Sequence, residues 1–213
     1  MKRDSVEEEL RRRILDGKPA PGERMPEVQL AEELGVSRFA VRSALQALEA
    51  RKLVERIPNA GVVVSQPDHT RLEEIYDVLE LLEGLAARLA AQKSTPGDWS
   101  ELQELFAEGN GLDEAADEGD IDLFLAAIDR YRDTVIRLAD QTFLAETLSG
   151  VRDQSHVLRR RILMTPGRMK ESLAEHRGVI DALVQGDAEK AEALKRRNMQ
   201  TARKRLVRFR EYL

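Results

Sequence analysis

Arg38 and Arg42 lie one helical turn apart, and their spacing suits a definite chemistry. A guanidinium presents five donors in a planar fork, so it can bond both acceptors on a guanine edge or clamp a phosphate. Both arginines sit with Ser37 and Phe39 in the opening turns of a predicted helix. The opposite face of that helix is Val41, Ala44, Leu45 and Leu48, which turns Ser37, Arg38, Phe39 and Arg42 outward. A second kind of chemistry comes from polar residues set into apolar stripes. Asp129 and Asp133 are four residues apart and face one way with Leu125 and Ile136. His176 lies between Leu173 and Ile180, and Asn198 follows Ala191 and Leu194. Such groups are costly to bury unless something bonds them. Two buried, ionised carboxylates need a cation, a shared proton or a cationic partner. His156 with Arg159 to Arg161 forms a third cluster, open to two readings: a solvated basic face, or an anion contact through His156 and Arg159.

The elements that must position these groups follow from spacing and punctuation. Val6, Leu10 and Ile14 make the stripe of a first helix over Val6–Leu15, broken from Gly17 to Pro21. Pro26 suits the start of a second helix, which Gly35 ends; Ser37 is a good N-cap for the third. Short strands are predicted at Leu53–Arg56 and Gly61–Val64, around the turn Ile57-Pro58-Asn59-Ala60. Helix, turn, helix and hairpin make a winged helix over residues 1–67, with Pro67 and Asp68 as a short linker. From residue 68 to 213 the pattern is helical and no strand is predicted. Six helices are expected, with an acidic turn region at Gly109–Asp120. The fold class is therefore mainly α: a winged helix-turn-helix, then an all-α six-helix bundle.

Composition narrows the function. No cysteine is present, which excludes disulfides and thiolate metal sites. No apolar run reaches membrane-spanning length and MKRDSVEEEL does not read as a signal peptide, so a cytoplasmic location is expected. Residues 1–67 hold twelve Lys and Arg against eleven Asp and Glu, while the remainder hold 22 against 28. A DNA-facing surface must therefore concentrate its charge locally, at Arg24, Arg38, Arg42 and Arg56. Arg203, Lys204, Arg205, Arg208 and Arg210 in the last helix are expected to pair with the acidic remainder or with another subunit.

Two sets of motifs carry a family resemblance. Ile14-Leu15-Asp16-Gly17, Pro21-Gly22-Glu23-Arg24-Met25-Pro26, Gly35-Val36-Ser37-Arg38, Val41-Arg42, Ala44-Leu45, Leu48-Glu49, Leu53-Val54 and Gly61 resemble the DNA-binding domain of the GntR family of bacterial transcription regulators. Leu82-Glu83, Ala86, Ala87, Ala90-Ala91, Pro166-Gly167-Arg168, Glu175-His176-Arg177, Ile180 and Gly186-Asp187-Ala188 resemble the FCD effector-binding domain of that family's FadR branch, in its six-helix subgroup. The resemblance implies DNA contacts from Arg24, Ser37, Arg38, Phe39, Arg42, Asn59 and Gly61. It also implies a homodimer on a pseudo-palindromic double-stranded operator, a small-molecule effector such as an organic or sugar acid, and repression. FCD domains often hold a metal on an Asp and three His. Carried over, those positions are Asp129, Asp133, His176 and Asn198, of which only Asp129 and His176 keep the family's type.

Three readings of that set stay open. One divalent ion is held, with the loss of two imidazoles favouring Mn²⁺ or Mg²⁺ over zinc or nickel. Alternatively, His176 and Asn198 bond an organic effector or the two Asp residues. In the third reading the two Asp residues are solvated surface charges, as Arg130 and Arg132 beside them are outward-compatible. In the first two, all four side chains are expected in one pocket. Leu79 stands where the family commonly has an inward arginine, removing one partner for a carboxylate effector. No signature of a nucleotide or organic cofactor is present. The rival functions are a metal-dependent hydrolase and an unliganded scaffold. A hydrolase lacks support because the chain has no phosphate loop or nucleophile motif.

Overall fold

The computed structural model describes residues 3–66 and 69–209. The chain divides into two compact units. One is Met1–Asp68 with the short stretch Asp153–Val157, and the other is His69–Arg152 with Leu158–Leu213. Pro67 and Asp68, read as the linker, lie outside the described residues, as does Arg210.

In the first unit, helices α1 (Arg3–Leu15), α2 (Glu27–Leu34) and α3 (Arg38–Ala50) precede strands β1 (Val54–Ile57) and β2 (Gly61–Val64). The strands pair antiparallel from Val54 opposite Val64 to Ile57 opposite Gly61. The segment before α2 joins them: the Met25 N–H donates to Val62 O at 2.9 Å, and the Val64 N–H donates to Glu23 O at 2.9 Å. That third edge ties Arg24, which bridges Val63, to the wing. Val6, Leu10, Ile14, Leu30, Val41, Leu45, Leu48 and Val64 meet in one core. Leu45 and Leu48 are fully buried there, which fixes the rotation of α3 about its axis.

In the second unit, α4 (His69–Lys93) is followed by a 3-10 turn (Pro96–Trp99) and α5 (Ser100–Leu105). Helices α6 (Leu112–Glu118), α7 (Ile121–Ala139), α8 (Thr142–Leu163), α9 (Arg168–Val184) and α10 (Ala188–Phe209) complete it. The six expected helices are present. The stretch read as an acidic turn region adds α6, because Leu112 and Ala115 are buried and give it an inner face. Thr95 and Asp98 close the break after α4 as a capping box, with the Thr95 N–H donating to Asp98 Oδ2 at 2.8 Å.

Helices α4 and α10 pack along much of their length. A Cβ on Gly84 would meet Arg196 Cγ at 2.6 Å, so a larger residue there would collide with the arginine stem. Ion pairs flank the seam: Arg196 to Glu80 at 2.8 Å, Arg203 to Asp77 at 2.8 Å and Arg88 to Glu192 at 3.1 Å. Arg205 reaches Glu171 on α9 at 3.0 Å. Among the described residues, no helix is long and apolar enough to cross a membrane.

Candidate DNA interface and effector pocket

The turn between α2 and α3 is built for closeness. Gly35 ends α2 at φ +63°, a left-handed conformation that costs glycine little. Two residues on, the Ser37 hydroxyl accepts from the Ala40 N–H at 3.2 Å and caps α3. With Val41, Ala44, Leu45 and Leu48 inward, the opposite face presents Arg38, Phe39 and Arg42. Phe39 is 79% exposed, a large apolar side chain left on the surface. Arg42 is held by Glu27 of α2 at 2.8 Å, and this hydrogen bond keeps the Glu27 carboxyl below its ordinary range. Among the described residues no carboxylate bonds Arg38. At the wing tip Asn59 (φ +64°) and Gly61 (φ +87°) turn the chain with both residues exposed. Ser37→Ala should cost about 1 kcal/mol of stability through the lost cap. Urea melts of the purified protein check this, and an unchanged midpoint would remove Ser37 from the capping role.

The second site lies among α4, α7, α8, α9 and α10. Tyr76, Arg132, Arg159, Arg168, His176, Lys195 and Asn198 line a cavity of about 30 Å³. Four of these residues are cationic side chains, each less than a tenth exposed. Their carboxylate partners are few. Arg159 bonds Asp129 at 2.9 Å and Arg168 bonds Glu175 at 2.7 Å. Behind the cavity, Glu83 is 1% exposed and meets Arg152 at 2.7 Å, with Arg132 and Lys195 both at 3.8 Å. Burial works to raise the Glu83 carboxyl, but Arg152, Lys195 and Arg132 together hold it well below the usual carboxylate range. Burial lowers the Lys195 ammonium to about 8; Glu83 opposes that shift while Arg132 and Arg152 add to it. The Nε atoms of Arg132, Arg159 and Arg168 are buried without a hydrogen-bond partner. Unmet buried donors around one space are a poor way to end a fold and a good way to receive an anion.

His176 is buried and neutral: burial first, then Lys195, takes its imidazole well below its usual range. Its Nδ1 lies 2.7 Å from Ser172 O. A carbonyl only accepts, so Nδ1 carries the proton and Nε2 is left as an acceptor. Nε2 is buried and has no partner. Asn198 donates to Glu175 at 2.7 Å and accepts from Lys195 at 3.1 Å.

Residues 2–64 match the family described as bacterial regulatory proteins, gntR family, and residues 74–201 match the FCD domain. The chain belongs to the GntR family, in the FadR-like branch that carries an FCD domain. The galactonate operon transcriptional repressor of Escherichia coli is 27% identical over 215 residues, covering 90% of each chain. The regulator LutR of Bacillus subtilis is 29% identical over 199 residues, covering 84% of this chain and 90% of its own. The solved structure of E. coli McbR superposes with a TM-score of 0.80 at 26% identity, covering 99% of this chain and 98% of that one. The family consists of DNA-binding transcription regulators, so this chain is a regulator and not an enzyme.

In this GntR-family chain the four residues of the implied metal set do not converge. His176 and Asn198 reach the cavity. Asp129 is half exposed and meets the cavity lining through Arg159. Asp133, expected in the pocket, is exposed. The inward stripe of α7 is Phe124, Ile128, Tyr131, Arg132 and Val135, which puts Arg132 inside and leaves Asp133 on the next face. The outward reading of Arg132 is corrected for the same reason. Among the described residues no three His, Cys, Asp or Glu side chains come together as a metal site would need. The donors present do not fit a divalent ion, because cationic groups crowd the space and the Asn198 oxygen already accepts from one of them. The side chain of His156 lies outside the described residues. Arg159 joins the main cavity instead of forming a second site. Leu79 is buried in the core, while Arg132, Arg168 and Lys195 are among the cations that line the cavity.

Proposed function

We propose that this chain represses transcription in the cytoplasm as a homodimer on a pseudo-palindromic operator. Entry of a small hydroxy acid into the FCD cavity alters that binding. The observation that carries the ligand class is the gathering of four buried cationic side chains, Arg132, Arg159, Arg168 and Lys195, around one small cavity, with the Nε atoms of Arg159 and Arg168 lacking a hydrogen-bond partner. A carboxylate supplies the acceptors they lack. The bare Nε2 of His176 calls for a donor, which a hydroxyl on the same molecule provides. At about 30 Å³ the cavity is small, which favours a short acid over a six-carbon sugar acid.

The dimer reading rests on charge and symmetry. The winged unit is nearly neutral and offers few phosphate contacts, so two copies on related half-sites make binding tight. The galactonate repressor among the relatives supports repression as the mode. Thermal melting with lactate, malate, succinate and propionate, followed by gel shifts on operator fragments enriched by the protein, tests the scheme. Lactate and malate should raise the melting temperature more than propionate and succinate, and should change operator affinity. Equal or absent shifts across both pairs would sink the hydroxy-acid reading. A monomer by light scattering, with operator bound, would sink the dimer.

A further inference from the structure

Lys195 is a buried lysine on the inner face of α10. It is 1% exposed and lies on the stripe of Ala191, Met199 and Ala202, where an apolar residue would ordinarily stand. Its Nζ contacts Asn198 Oδ1 at 3.1 Å, lies 3.8 Å from Glu83 Oε2, and sits 5.0 Å above the Tyr131 ring. His176 packs edge-on to the same ring, with centroids 5.0 Å apart. The ammonium therefore stands beside both residues of the implied metal set that reach the cavity. It already occupies the one oxygen that Asn198 could offer an ion. A divalent cation added there would meet the ammonium and the Arg132 guanidinium at close range, with Glu83 shared among three cations already.

We infer that Lys195 does in this chain what a bound metal would otherwise do: it is a tethered cation on which the effector's carboxylate binds directly, with Arg132, without a divalent ion. This rests on the hydroxy-acid reading above and adds to it the means of recognition. A lysine suits the role because its three donors radiate from one point. One is held by Asn198, one leans towards Glu83, and the third is left for the ligand. Glu83 fixes the ammonium from behind, and the Tyr131 face below it tolerates a cation.

The test uses the full-length protein stripped with chelator and analysed for metal. L-malate and L-lactate are titrated by calorimetry in chelator, and again after loading with Mn²⁺ or Zn²⁺. Both acids should bind equally well in the two conditions, with metal content far below one ion per chain. Lys195→Met and Lys195→Gln should each weaken acid binding by about 10- to 100-fold, the loss of one charge-assisted contact. Lys195→Gln keeps a donor towards Asn198, so its loss reports the charge and not the packing. Melting curves and gel shifts on the same variants confirm that they fold and hold operator. Acid binding that appears only with the metal overturns this inference and leaves the effector reading standing. Unchanged binding in both variants does the same. Failure of every acid with the wild-type chain, stripped or loaded, sinks both together.

Discussion

Replacing Arg38 by alanine should weaken operator binding by about 1–3 kcal/mol for each half-site, or roughly 5- to 150-fold. The side chain projects from the first turn of α3 on a helix whose rotation Leu45 and Leu48 fix. A fork in that place can read both acceptors of one guanine, so its loss should also blur the preference at that base. Arg42→Ala should behave differently. Arg42 already spends donors on Glu27 at 2.8 Å, which leaves fewer for DNA. Its removal should weaken all sequences alike and flatten the dependence on salt. Gel shifts over single-base operator variants at two salt concentrations separate the two behaviours. Equal affinity of the Arg38→Ala protein for every variant and for the parent operator, at wild-type strength, would take Arg38 off the bases.

The largest stability effect should come from Glu83→Gln, at about 3–5 kcal/mol, because it strips one buried anion from the buried Arg132 and Lys195 and the part-buried Arg152. Arg152 loses the carboxylate it meets at 2.7 Å, and Arg132 and Lys195 lose the charge they share at 3.8 Å. The sign of the pH dependence follows. The folded carboxyl is held below its unfolded value, so its contribution is complete above about pH 4.3. It is lost progressively as pH falls from there towards the depressed folded value. Urea melts at neutral pH and through the acid range should show wild type losing stability faster than Glu83→Gln on acidification. Parallel curves would mean that Glu83 is not the anchor of this network.

The winged unit was readable because its signals are local. Gly35, Ser37 and the alternating stripe of α3 each declare a boundary or a face within a few residues. The first strand shifted by one residue, from Leu53–Arg56 to Val54–Ile57, while the second stands at Gly61–Val64 as expected; element ends are weakly marked where the alternating pattern is short. The effector pocket was only half readable. His176 and Asn198 stand out as polar residues on apolar stripes, and both reach the cavity. The same spacing rule points to Glu83 between Leu79 and Ala86, Arg132 between Ile128 and Val135, and Lys195 between Ala191 and Met199. Long cationic side chains on helices are so commonly solvated that a charge there reads as surface. Only the packing of five helices shows that these have no water to reach. Asp133 failed for the opposite reason, because two carboxylates one turn apart define a line on α7 but not which way that line turns.

Gly84 gives the bundle a mechanical property. At Gly84 the stems of Arg196 and Glu192 seat directly on the α4 backbone, so the two helices resist sliding or rolling past each other. A displacement of Lys195 or Asn198 on α10 would therefore be shared with α4. The 25 residues of α4 make a beam about 37 Å long. A tilt of about 3° at one end displaces the other by roughly 2 Å over such a length. A small cavity can thus be the short arm of a lever whose long arm ends at His69, where the helix begins.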